Sequence, residues 1–310
     1  MAFIREFGCW LPARIVTSAE AGSWVGADAA WVREISGIDE RRFATDQETV
    51  AGLAARAGLD CLSRAGVEAS SLGMVIVASG TAERSFPGPA AETALQLGIP
   101  GTPALDLPMA SAGSLFALGL AARLVSSTGP ILVIGAEKMS TVVLREPRER
   151  GVAVLFGDGA GAALVSAESG LLELIDVQLA SDGAYAADLF LEPGKPLSMN
   201  GRSVILQASR KVPAAIRAVL QRHAIAPPAV AAFLLHQANQ NLVLKIAAAL
   251  GVPATRFYSN IARYGNTSSA SLLIAAAEWR RQAPPAPGSA VVFAAFGAGF
   301  HWGALLARAC

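Results

Sequence analysis

The sequence predicts an α/β protein with a mostly parallel sheet, built from two halves that repeat one unit. Three observations carry this. Short apolar runs alternate with longer helix-like segments along the 310 residues. Most of the runs close on small or turn residues. A strand, a glycine loop and a second apolar strand recur in each half. Strands buried on both faces read as unbroken apolar runs, and helices between them cover a parallel sheet.

In chain order the runs are Met74 to Ala78, Ile131 to Ile134, Phe233 to Leu235 and Ala290 to Ala294. Helices are predicted over 50–65, 112–126, 209–224, 240–250 and 269–281. The recurring unit is ILVIGAE followed by FGDGAGAALV, and later VVFAAFGAGFHWGALLA. This weak repeat sets a boundary near Ser169 to Leu171, giving halves 1–169 and 170–310. No long linker separates them, so tight packing is expected.

Composition narrows the class. With 53% apolar residues, 16% charged residues and a formal charge of +1, the chain reads as globular with an apolar interior, and neither disordered nor nucleic-acid-binding. No basic run or aromatic-basic stripe suggests a nucleic-acid partner. The longest uncharged stretch, 283–307, is long enough to span a bilayer, but proline and glycine break it into two strands around a loop. No membrane partner is expected. The first apolar segment contains Arg5 and Glu6 and lacks the order of a signal peptide, so a cytoplasmic location is expected.

Cys9, Cys61 and Cys310 are scattered, as are the three histidines, and no metal-ligand spacing appears. Gly157 to Ala162 matches G-x-G-x-x-A. A phosphate loop should open a helix, whereas AALV continues as a β-type run, so a tight turn between strands is the better reading.

Chemistry concentrates at three places. Ser111 precedes a segment whose only charge is Arg123, at a predicted helix start where free N–H groups favour developing negative charge. Alone, it also reads as an N-cap. His236 follows FLL directly, at the end of a strand where open sheets place reactive groups. Asn266 lies in the polar loop YGNTSSAS. A structural role suits each singly, but all three stand at strand-to-helix junctions that converge on one face of a sheet. A hydroxyl, an imidazole and a carboxamide so placed suggest acyl transfer, with the acyl group resting on the enzyme. The loop Gly297-Ala298-Gly299 brings backbone N–H groups within reach of a substrate, as an oxyanion hole needs, or makes a close-packed hairpin. His301 beside it reads as a packed or partly exposed histidine.

Eight segments occur in a telling order: SGIDERRFA (36–44), SFPGPAA (85–91), LDLPMASAG (105–113), FGDGAGAA (156–163), MNGRSV (199–204), HQAN (236–239), YGNTSSAS (264–271) and FGAGFHWGA (296–304). Through them the chain resembles the β-ketoacyl-acyl carrier protein synthase III family of the thiolase superfamily. The resemblance implies a five-layered αβαβα fold, a homodimer, no permanently bound cofactor, acyl-CoA as substrate and acyl carrier protein as a partner. In that family a Cys takes the acyl group from acyl-CoA, and malonyl-carrier protein is decarboxylated and condensed onto it, in fatty acid or polyketide-type biosynthesis. By motif, Ser111 stands where that Cys stands, and His236 and Asn266 polarise the malonyl thioester carbonyl. Ala298 and Gly299 belong to the oxyanion loop. Phe86 reaches across the dimer to an acyl pocket shared with Leu144 and Leu206. Trp31 stacks on the CoA adenine, and Arg150 and Arg210 are the candidate cations for its pyrophosphate.

The departures from the family carry their own expectations. A hydroxyl is much harder to ionise than a thiol of pKa about 8.5, so Ser111 needs a general base, and His236 is the candidate. An oxygen ester is a poorer acyl donor than a thioester. Ile35 and Asn241 replace family arginines, and the helix after HQAN offers Lys245 alone to an acidic carrier. Two alternatives to condensation follow: a starter-unit acyltransferase that works through a Ser111 ester without elongation, and a catalytically silent partner of an active ketosynthase. Retention of His236 and Asn266 weighs against the silent partner.

Overall fold

The structure, a computed structural model, describes residues 1–310. Ten strands join in one hydrogen-bonded sheet. The first half contributes Phe3–Trp10, Met74–Ala78, Ala104–Leu107, Ile131–Lys138 and Asp158–Ser166. The second contributes Leu172–Ser181, Ala232–Leu235, Phe257–Tyr258, Ala290–Gly297 and His301–Ala309. In both halves the order from the outer edge inward is third, second, fourth, fifth, first. The two first strands meet antiparallel over a short ladder, Phe3 opposite Glu173 and Ile4 opposite Leu172.

The sheet is mixed, which corrects the mostly parallel expectation. In each half the second strand pairs parallel with its third and fourth, and the remaining pairs are antiparallel. Loop length explains the difference. Only residues 298–300 separate Ala290–Gly297 from His301–Ala309, far too few for the crossover that a parallel pair requires. The uncharged stretch that was long enough for a membrane span forms this hairpin, and no helix is long and apolar enough to cross a membrane.

Five layers result. Helices Gly113–Thr128 and Ser271–Gln282 touch strands of both halves and lie between them, around Leu115, Leu118, Leu272, Leu273 and Phe293. Val50–Ala65 and Pro89–Gln96 cover the outer face of the first half. Gly201–Arg222 and Gln240–Leu250 cover the second. Gly113–Thr128 is apolar almost all round, as a helix sandwiched between sheets must be.

FGDGAGAA has a packing role. From Asp158 onward it is a strand, and a Cβ on Gly161 would lie 2.6 Å from the backbone nitrogen of Ile274. Glycine there lets the helix Ser271–Gln282 sit directly on the sheet. The helix predicted over 209–224 starts at Gly201, because Asn200 accepts a hydrogen bond from the Ser203 N–H and caps it.

Candidate active site

Ser111 stands at a strained corner between the strand Ala104–Leu107 and the helix Gly113–Thr128. Its φ is 59°, one of three positive values outside glycine. The N-cap position belongs to Ala112, which makes no side-chain capping bond, so Ser111 is not a cap. Its N–H donates to Ser268 Oγ at 3.0 Å, and its own Oγ makes no hydrogen bond within the chain. Gly297 permits this corner: a Cβ there would lie 2.5 Å from the Ala110 carbonyl oxygen and 2.9 Å from Ser111 Cβ.

His236 follows the strand Ala232–Leu235, and its N–H donates to the Ala294 carbonyl. The ring is buried, with Nδ1 2.6 Å from Ser271 Oγ. Burial pushes the imidazole down to about 4, opposed in part by a contact with the Ser268 backbone. The ring is therefore neutral at pH 7. No hydrogen bond joins it to Ser111.

Asn266 is held at both ends of its peptide, accepting from the Gly157 N–H at 3.1 Å and donating to the Leu155 carbonyl at 2.9 Å. Its Oδ1 accepts from the Ser268 N–H at 2.9 Å. That bond fixes the amide's orientation and leaves Nδ2 without a partner in the chain.

Ser111, His236 and Asn266 line one mainly apolar cavity of about 800 Å³, open to solvent, with Phe156, Leu189 and Met199 along its wall. A second cavity, of about 460 Å³, is lined by Thr81, Met139, Leu191, Leu197 and Ala298, again with Ser111. Ser111 thus stands where two cavities meet. This is an arrangement for a group that arrives by one route and is held in another.

Residues 105–183 match the family model for 3-oxoacyl-[acyl-carrier-protein] synthase III, and residues 220–309 match the model for its C-terminal region. The β-ketoacyl-[acyl-carrier-protein] synthase III of Oleidesulfovibrio alaskensis is 35% identical, over 99% of this chain and 98% of its own length. The chain belongs to the ketoacyl synthase III family. It is an enzyme of the acyltransferase type with the thiolase fold. The corresponding enzyme of Gloeobacter violaceus is 37% identical over 96% of this chain and 95% of its own. The crystal structure of the Aquifex aeolicus enzyme superimposes with a TM-score of 0.94 at 31% identity, covering 99% and 100% of the two chains. The priming β-ketosynthase of the R1128 polyketide pathway gives 0.89 at 30%, covering 100% and 96%.

The remaining ketoacyl synthase III residues fall unevenly. Ala298 lines the second cavity, while Gly299 lines neither. The Arg150 guanidinium lies 4.4 Å over the Trp31 ring. Leu144 and Leu206 line neither cavity and are 36% and 44% exposed. Leu144 closes a one-turn helix whose buried residues are Ser140, Val142 and Val143. On the helix Gly201–Arg222, Ala208 and Val212 face inward and Leu206 faces outward. Within one chain the second cavity beside Ser111 is lined by Thr81, Met139, Leu191 and Leu197 rather than by these leucines. Phe86 is 87% exposed and touches neither cavity of its own chain. Arg210 is exposed on the helix Gly201–Arg222 and also lines neither. Asn241, where the family carries arginine, donates to the Glu34 carbonyl at 3.0 Å and ties two helices together. His301 is bonded to Ser181 Oγ at 2.6 Å and edges Phe116. No cluster of His, Cys, Asp or Glu is arranged to hold a metal.

Sequence reasoning missed three supports. Glu137 is fully buried and accepts from Thr81 Oγ1 at 2.6 Å, the Gly80 N–H at 3.0 Å and the Ser269 N–H at 3.3 Å. It joins the wall of the second cavity to the turn that carries Ser268. Burial pushes its carboxyl upward against those hydrogen bonds. Glu278 accepts from Tyr264 Oη at 2.7 Å, Arg263 at 2.8 Å and Asn260 Nδ2 at 2.9 Å, fixing the loop ahead of Asn266. Ser271 anchors His236. A glutamate inside the apolar run ILVIGAEK was the visible signal for Glu137; the others gave none.

Proposed function

We propose that this enzyme takes an acyl group from acyl-CoA onto Ser111 Oγ and condenses it with a malonyl thioester, in fatty acid or polyketide-type biosynthesis. The observation that carries this reading is the position of Ser111 at the junction of two cavities, one of which also presents His236 and Asn266. The thioester arm enters through the larger cavity, and the acyl group comes to rest in the smaller.

In the first half-reaction Ser111 Oγ attacks the thioester carbonyl, the carbon–sulfur bond breaks, and the Oγ proton passes to the departing sulfur, which leaves as the CoA thiol. The Ala298 N–H, which makes no hydrogen bond within the chain and belongs to a residue that lines the second cavity with Ser111, is the candidate donor to the developing oxyanion. In the second, Asn266 Nδ2 and the neutral His236 polarise the malonyl thioester carbonyl. Loss of carbon dioxide leaves an enolate held by those donors. Its carbon attacks the Ser111 ester carbonyl, the ester C–O bond breaks, and the Ser111 oxygen leaves as an alkoxide that takes a proton from water in the open cavity. The apolar wall favours decarboxylation, because the carboxylate loses its hydration there, whereas the charge that moves onto the enolate oxygen meets the Asn266 and His236 donors.

The same reading includes a homodimer. Phe86 is almost wholly exposed, and the edge strand Ala104–Leu107 leaves one side unpaired, so this surface fits a second copy that receives Phe86 in its acyl cavity. Trp31 stacks on the adenine once Arg150, whose guanidinium lies 4.4 Å over that ring, swings aside toward the pyrophosphate, with Arg210 a further cation there. Acyl carrier protein presents the malonyl group.

A starter-unit transferase without elongation is the second reading. It is favoured by the absence of a hydrogen bond between Ser111 Oγ and any base and by the lower reactivity of an oxygen ester.

Intact mass spectrometry with peptide mapping after incubation with acyl-CoAs of graded length tests both. An adduct on Ser111 that disappears on addition of malonyl-carrier protein, with release of carbon dioxide and a 3-oxoacyl product, is the expected result. Transfer of the acyl group without carbon dioxide selects the second reading. No adduct with any donor overturns both.

A further inference from the structure

We infer that Ser271 is a positioning residue: its hydroxyl donates to His236 Nδ1, and this places the ring proton on Nε2. The assignment follows from counting protons around one oxygen. Ser271 Oγ has two hydrogen-bond neighbours, the Gln237 N–H at 3.0 Å and His236 Nδ1 at 2.6 Å. A backbone N–H can only donate, so it occupies one oxygen lone pair. If Nδ1 also carried a proton, both lone pairs would be filled and the hydroxyl proton would have no acceptor in a buried site. With Ser271 donating to Nδ1, the hydroxyl proton and the Gln237 N–H are both matched at Oγ, and the ring proton is left on Nε2.

The neighbouring amide offers no way out. Gln237 Nε2 donates to the Leu235 carbonyl at 2.8 Å, and its Oε1 accepts from the Asn260 N–H at 3.2 Å. Both ends of that side chain are committed, and neither reaches Ser271.

His236 therefore presents Nε2–H to the cavity, as Asn266 presents its Nδ2 hydrogens. Two donors suit a carbonyl that gains negative charge. They do not suit the hydroxyl of Ser111, which needs a lone pair to take its proton. Ser271 thus commits His236 to the malonyl half-reaction and removes it from the first. This inference rests on the proposed condensation for its consequence, but not for the tautomer itself.

Long-range ¹H–¹⁵N correlation spectra of histidine-labelled protein test the tautomer directly. The signature of an Nε2–H, Nδ1-acceptor ring for His236 at pH 7 is expected, and the opposite tautomer overturns the proposal whatever the activity. Ser271→Ala then tests the consequence. Malonyl-thioester decarboxylation should fall at least about tenfold in kcat with KM little changed, the His236 spectrum should show mixed tautomers, and acylation of Ser111 should not slow. An equal loss in both half-reactions would mean a merely structural role and would overturn the proposal. Wild-type protein with the Nε2–H tautomer but no decarboxylation would leave the tautomer standing and sink the condensation reading instead.

Discussion

The backbone N–H of Ser111 is held by Ser268 Oγ at 3.0 Å, and both serines have left-handed backbones, with φ of 59° and 48°. For residues other than glycine this region costs roughly 1–2 kcal/mol each. The strain persists because the bond crosses between the two halves and the central helices fix both ends.

Replacing Ser268 separates strain from hydrogen bonding. Ser268→Ala leaves a buried N–H without a partner and keeps the strained φ, so it should cost about 1–3 kcal/mol. Ser268→Gly loses the same hydroxyl but relieves the backbone, and should retain about 1 kcal/mol more. Denaturant unfolding of the pair measures the difference; equal loss would show that the φ carries no cost.

Ser111→Cys should raise both half-reactions. A thiol is ionised to a useful extent near neutral pH without a base, and the resulting thioester is a better acyl donor than the ester. Adduct formation should accelerate at least about tenfold, and condensation with a malonyl thioester should rise as well. Pre-steady-state mass spectrometry reads the first, and carbon dioxide release the second. A slower variant would show that the corner is shaped for oxygen.

Acid should act through His236 well below the ordinary histidine range. Its folded-state pKa is pushed down to about 4 from 6.5. The stability linked to the neutral ring is therefore complete above about 6.5 and is lost as pH falls toward 4. Asp158 runs the other way: burial pushes its carboxyl up to about 6 despite bonds from Ser140 and Ala44. Its contribution is complete below its unfolded value and is lost as pH rises through 6. Decarboxylation should therefore show no acid limb near 6.5, and a kcat profile from pH 4 to 8 checks it.

Gly161→Ala should be among the most damaging single changes, because the new methyl meets the Ile274 backbone rather than a movable side chain. More than about 3 kcal/mol is expected. Gly151, in a short helix with open space around its Cα, should accept alanine and gain up to about 1 kcal/mol. Thermal melts of the two variants make the comparison.

Much of this fold was legible in the sequence, and what was not had local causes. The helices Val50–Ala65 and Gln240–Leu250 coincide with their predicted bounds because Thr49 and Asn239 cap their starts and Gly66 and Gly251 their ends. Strand direction was misjudged because an apolar run is silent about polarity, whereas the three-residue connection after Gly297 is not. Ser111, His236 and Asn266 stood out because a nucleophile's neighbourhood has a recognisable motif. Ser268, Ser271 and Glu137 did not, since each matters only through a partner distant in the chain, 157 residues away in the case of Ser268 and Ser111. The second cavity was unreadable because its wall is assembled from four distant stretches, around Thr81, Met139, residues 189–197 and Ala298, none of which forms a motif by itself.

The repeated strand order gives the contact between Ser111 and Ser268 a history. Each serine lies just ahead of the central helix of its own half, Gly113–Thr128 or Ser271–Gln282, and each has a left-handed backbone. The two are counterparts that face one another across the seam, as one residue would face itself in a symmetric pair of half-sized ancestors. Two copies of a unit within a single chain need not stay identical. One serine could then be kept for its reactivity, and the other for holding its twin still.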